Sequence, residues 1–123
     1  MFKLDLQSRQ PIYEQLKNNI GEMVIIGSLS PDAQLPSVRS LARELGINPN
    51  TVQKAYQDLE RDKIIYSVAG RGSYISHEIG VVLQLEKGHL QKVEQVVELA
   101  KRCGISQDQV EDTVRMVYME GSQ

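Results

Sequence analysis

The chain has no tryptophan, one phenylalanine and one cysteine among its 123 residues. A lone thiol, Cys103, cannot form an internal disulfide, which excludes a disulfide-built secreted domain and makes a reducing cytoplasm the expected compartment. No apolar run approaches the roughly 20 residues that a membrane span needs; the longest include Met23 to Ile26 and Gly80 to Leu83. The N-terminus lacks the basic, apolar, small-residue pattern of a signal peptide. A membrane partner is therefore not expected.

Strong charge of either sign is also missing. The formal net charge is -2, which at first argues against a nucleic-acid partner, because phosphates favour a basic surface. The balance differs along the chain: residues 1–76 hold nine Lys/Arg against eight Asp/Glu, and residues 77–123 hold five against eight. A nucleic-acid site in the first part is permitted if a few cations share one face. With 41% apolar and 24% charged residues the composition is globular, and the length suits one ordinary domain or a small domain with a helical appendage.

Turn residues punctuate the first part clearly. Pro11 opens a helix whose apolar positions are Ile12, Leu16, Ile20, Met23 and Val24, and Gly27 closes it. After the turn-rich run GSLSPDAQLPS, Ser37 is an N-cap for a helix through Val38, Leu41, Ala42 and Leu45 that stops at Gly46. Asn48 caps and Pro49 begins a third helix, predicted to reach Arg61 or Asp62, with Val52, Ala55, Tyr56 and Leu59 on its apolar stripe. Two short helices joined by so tight a Gly-containing turn form a helix-turn-helix. The β-branched and aromatic residues of Ile64 to Val68 and Ser73 to Ile75 then flank a Gly-rich turn, as in a two-stranded wing.

That order predicts a mostly α fold with a small β-wing: a winged helix-turn-helix over 1–76, followed by a two-helix dimerisation tail over 77–123. In such a domain the second helix of the pair enters the DNA major groove. Asn50 and Gln53 can pair bidentately with adenine, Thr51 can touch a thymine methyl or hydrogen-bond, and Lys54 can reach phosphate or guanine. Gly70, Arg71 and Gly72 make a flexible tip that presents one cation, a geometry suited to a minor groove. Tyr56 lies on the apolar stripe, so its ring belongs to the core, with its hydroxyl reaching solvent or phosphate. Arg39 has an alternative role as an ordinary helix-surface contact to Glu44.

The run QLPSVRSLARELGINPNTVQKAYQDLERDKII, the following GRGSYI and the preceding QPIYEQLKNNI resemble the N-terminal winged helix of the GntR family of bacterial transcription regulators. NPNTV.KAY..LE with a short tail resembles its YtrA-like subgroup. The resemblance implies a homodimer on a palindromic operator of double-stranded DNA, usually repressing, often beside transporter genes. It assigns DNA contact to Arg39 and to Arg71 and Gly72 at the wing tip, and the capping Ser37 and Gly70 beside them are counted among the expected DNA-binding residues. Asn48, Asn50, Thr51, Gln53 and Lys54 fall at the start of the recognition helix. Pro49 and Gln53 stand where the fatty-acid-responsive branch has arginines, so base preference does not transfer from that branch.

From about Val81 to Cys103 the apolar residues Leu83, Leu90 and Val97 recur every seven positions, with Val93, Val96 and Ala100 beside them. Gly104 ends this helix. Ser106 and Gln109 form a capping box for a last helix carrying Val110, Val114, Val117 and Tyr118. So much apolar helix surface calls for a symmetric partner, and the expected dimer interface is Leu83, Leu90, Val93, Val96, Val97, Ala100, Val110, Val114 and Val117. A tail of 47 residues is too small to enclose a conventional ligand pocket. An effector, of unknown identity, is expected only at the dimer interface or between tail and DNA-binding domain.

His77, His89 and Cys103 match no standard zinc spacing, and no nucleophile–base pair or phosphate loop is present. Neither a metal, another cofactor nor an enzymatic activity is expected. The competing reading of a different class is a winged-helix protein-interaction module without specific DNA binding.

Overall fold

The first described helix, α1, spans Ile12–Ile25, and the chain continues through α2 (Val38–Leu45), α3 (Pro49–Arg61), β1 (Ile65–Val68), β2 (Gly72–Ile75), α4 (Val81–Arg102) and α5 (Gln107–Glu120). These elements come from a computed structural model that describes residues 2–120. The described chain divides after Leu85 into two compact units.

In the first unit, local signals set the helix ends. The Ser37 Oγ accepts the Ser40 N–H at 3.1 Å, which satisfies one of the amides left open at the start of α2. Gly46 closes α2 in the left-handed region at φ 68°, and the Ile47 N–H returns to the Ala42 carbonyl at 3.0 Å. Asn48 then caps α3 by accepting the Asn50 N–H at 2.8 Å. Three residues therefore suffice to end one helix and start the next.

Leu16, Ile20, Leu41, Val52, Leu59 and Ile75 are fully buried, so α1, α2, α3 and the hairpin share one core. Burying each such side chain contributes on the order of 1.5–3 kcal/mol before entropy is counted. Val81 joins this core and Leu85 packs against it, which is why the compact unit extends into the first turn of α4. Buried Gln15 holds the N-terminal segment on α1: its amide donates to the carbonyls of Asp5 and Gln10 and accepts the Asp5 N–H at 2.7 Å.

β1 and β2 pair antiparallel with Ile65 opposite Ile75 and Val68 opposite Gly72. The turn-rich run before α2 adds to this hairpin: Gln34 bridges Tyr74, and the Leu35 N–H donates to the Ser73 carbonyl at 2.9 Å. Its sequence shows only turn residues because the pairing is too short to display alternation. At the same edge, the Asp32 carboxylate accepts the Tyr66 hydroxyl at 2.7 Å and meets His77 Nδ1 at 2.6 Å. These contacts hold the Asp32 carboxyl below its ordinary range, the Tyr66 hydrogen bond first, and they raise the Tyr66 phenol.

Tyr56 is 5% exposed, and its hydroxyl donates to the Pro36 carbonyl at 2.7 Å rather than reaching solvent or phosphate. The ring is in the core as expected, but the hydroxyl ties α3 to the segment entering α2. Burial pushes its phenol well above the ordinary tyrosine range. In the second unit, the Ser106 Oγ accepts the Gln109 N–H at 3.2 Å while Gln109 Oε1 accepts the Ser106 N–H at 3.0 Å, a reciprocal capping box.

Tyr56→Phe should lower stability by about 1 kcal/mol in urea unfolding at fixed protein concentration, because the Pro36 carbonyl loses its donor while the ring packing survives. A lowered Asp32 pKa stabilises the fold above the unfolded carboxyl value of about 3.9, and that contribution disappears as pH falls through the native value. Stability of Asp32→Asn should accordingly decline less than that of the natural chain between about pH 5 and pH 2 in thermal melts across this acid range.

Candidate nucleic-acid interface

Because Val52, Ala55, Tyr56 and Leu59 are buried, the helical period turns Asn50, Gln53, Lys54 and Gln57 outward, with Thr51 half-buried beside them. The first turns of α3 thus present two amide side chains and a hydroxyl, groups that both donate and accept. Asn48 is exposed at their head, but its Oδ1 is occupied by the cap, leaving its side-chain N–H groups for a ligand. Ser37 is likewise a capping residue first, and its hydroxyl proton remains available.

Four cations in this unit fall into two pairs. Lys17 and Arg61 pair with Asp58 at 3.4 and 3.3 Å, so both are engaged on the α1 and α3 surface. Arg39 and Arg71 are exposed and form no ion pair among the described residues; in particular, Arg39 makes no contact of this kind with Glu44. Lys54 is intermediate between these pairs. Its Nζ lies 3.9 Å from the centroid of the Tyr13 ring, a cation–π contact that draws the ammonium toward α1.

Gly70 and Gly72 take positive φ values of 77° and 114°, which lets the backbone turn sharply around Arg71. The Arg71 N–H donates to the Val68 carbonyl at 2.9 Å. Gln34 Nε2 donates to the Arg71 carbonyl at 2.8 Å, and the Tyr74 hydroxyl approaches the same oxygen at 3.5 Å. A Cβ at Gly72 would stand 3.3 Å from Gln34 Nε2, so glycine also makes room for this contact. The tip is therefore anchored from outside the hairpin. Gln34 was not foreseen as a site residue, since 37 residues separate it from Arg71 and no local pattern links them.

The second unit presents a different surface. Val93, Val96, Val97, Ala100, Val110 and Val114 line an open apolar trough of about 740 Å³ between α4 and α5. Beyond the first turn of α4, neither helix has a buried residue. Val117 is 61% exposed, and Leu90 is exposed outside the trough. Leu83 is exposed too, but belongs to the first unit. The trough is open rather than an enclosed pocket. No group of three or more His, Cys, Asp or Glu suited to a metal occurs among the described residues, and none of their helices is long and apolar enough to cross a membrane.

Comparison with known proteins agrees with this arrangement. The family described as "Bacterial regulatory proteins, gntR family" matches residues 12–75, from α1 through β2. The HTH-type transcriptional repressor YtrA of Bacillus subtilis is 35% identical over 119 residues, covering 95% of this chain and 92% of that protein. A GntR family transcriptional regulator from Listeria monocytogenes superposes with a TM-score of 0.80 at 31% identity, over 90% of this chain and 98% of that one. The DNA-binding domain of AraR, solved in complex with an operator, aligns with a TM-score of 0.53 at 29% identity, over 62% and 93% of the two chains. With its winged helix matched along its whole length and its tail shared with YtrA-type relatives, the chain belongs to the GntR family of bacterial transcriptional regulators and to its YtrA-like subgroup.

Proposed function

We propose that the protein is a homodimeric repressor that binds a palindromic DNA operator, with transporter genes as the first class of target to examine. The observation that carries the DNA part is the pairing of an outward amide and hydroxyl face on α3 with the unpaired cations Arg39 and Arg71 flanking it. Asn50, Thr51 and Gln53 read base edges, Arg39 holds phosphate, and Arg71 enters the minor groove beside the wing. Asn48, Ser37 and the wing glycines Gly70 and Gly72 shape the backbone around these contacts. Lys54 contributes positive charge from its position over Tyr13.

The dimer is supported by the uncovered apolar faces of α4 and α5. Helices of 22 and 14 residues with almost no buried positions gain little from their own propensity, and a second copy supplies the missing cover. Two recognition helices related by a two-fold axis then read two half-sites, which multiplies the modest specificity of one.

Duplexes selected by the purified protein from a random-sequence pool provide the probe. Replacing Arg39 and Arg71 together by alanine should weaken binding and flatten the plot of log affinity against log salt by about 4 units, near 0.9 for each of the four cation contacts that the two subunits lose. Unchanged affinity and slope would sink the proposed contacts. Val96→Glu, at a position 66% exposed in the single chain, should shift sedimentation equilibrium from dimer toward monomer; an unaltered dimer would move the interface elsewhere.

A further inference from the structure

Arg43 stands one helical turn beyond Arg39, at i+4, on the exposed face of α2. Arg39 and Arg43 line one open concavity of about 550 Å³ with Ala42, Gly46, Ile47 and Pro49, at the junction between α2 and α3. Gly46 leaves its part of that junction free of side chain: a Cβ there would meet nothing within 4 Å. Neither arginine has a carboxylate partner among the described residues, although Glu44 is adjacent in sequence.

Two unpaired like charges at i and i+4 repel each other and work against the helix that carries them. The position of Arg43 in the last turn of α2 favours a cation through the helix dipole, but that preference accounts for one charge and not for two converging on one concavity. The start of α3 offers an anion no free N–H from Asn50 or Thr51 and no free ammonium. Its Asn50 N–H is taken by Asn48 Oδ1, its Thr51 N–H by the Asn48 carbonyl at 3.0 Å, and its one lysine sits over Tyr13. An anion between the two helices would thus meet two guanidiniums, each a planar fork that matches the oxygens of a phosphate.

We propose that Arg43 and Arg39 together form the seat for one DNA backbone phosphodiester, with Arg43 fixing the depth at which α3 enters the groove. The inference rests on the DNA-binding reading above and adds a second arm to it. As a phosphate contact, Arg43 acts on every duplex alike and carries no base preference.

The test measures fluorescence anisotropy of the full chain, over a salt series, on a duplex selected from a random pool and on an unrelated duplex of equal length. Arg43→Gln keeps the length and polarity of an exposed side chain. It should weaken both duplexes by a similar factor of about ten and reduce the salt slope by about 2, near 1 for each subunit of the dimer, while Arg43→Lys retains most of the affinity. Natural affinity and slope in Arg43→Gln, alongside loss in Arg39→Gln, would overturn the shared seat and leave the DNA-binding reading standing. Loss confined to the selected duplex would make Arg43 a base reader and overturn the phosphate assignment. Failure of the natural chain to bind either duplex would overturn both.

Discussion

Burial of one stripe on α3 is the constraint from which the winged unit follows. Val52, Ala55, Tyr56 and Leu59 sit at i, i+3, i+4 and i+7, and all four are inside the core. The helix cannot rotate about its axis without burying Gln53 or Lys54, whose polar groups would then lack partners. Its orientation toward a ligand is therefore decided by its packing. Gly46 and Asn48 complete the arrangement, since the left-handed turn and the cap bring α3 out of α2 within three residues.

Features governed by neighbouring residues were legible in the sequence. The caps Ser37 and Asn48, the stop at Gly46, the reciprocal Ser106 and Gln109 pair and the stripe of α3 each depend on side chains a few positions apart, and each forms as read; of the α1 stripe Leu16, Ile20 and Val24 are buried, whereas Ile12 and Met23 stay outside the core and Gln15 enters it. The family resemblance extended that reading to the fold. Contacts between distant segments were not legible. Gln34 meets Arg71, His77 meets Asp32, and Lys54 meets Tyr13 across separations that no periodicity spans. The Tyr56 hydroxyl shows the same limit: its stripe placed the ring, but only the folded chain brings the Pro36 carbonyl to it.

Arg71 and Lys54 illustrate two ways of holding a cation. At the wing the backbone is held: the Arg71 carbonyl accepts from Gln34, its N–H donates to Val68, and the side chain stays exposed. At Lys54 the ammonium itself is held, against an aromatic face. Fixing the backbone limits where the guanidinium starts while preserving its freedom to fit a groove of variable width. Fixing the ammonium lowers the entropy lost on binding only if the ligand meets it where it already lies. The first arrangement suits a contact that adapts to DNA shape, and the second suits a contact of set position.

The two units differ in how completely they close. The first buries its apolar faces among its own elements, whereas α5 and the part of α4 beyond Leu85 bury almost none of theirs. In the proposed dimer the cover for these helices comes from a second chain, so order in the tail and association are one equilibrium, dependent on concentration. Operator binding enters the same equilibrium. DNA that engages two recognition helices binds the dimer in preference to the monomer, and by linkage it must favour dimerisation by the same factor. In that dimer the apolar face of the tail and the polar face of α3 are therefore coupled through mass action.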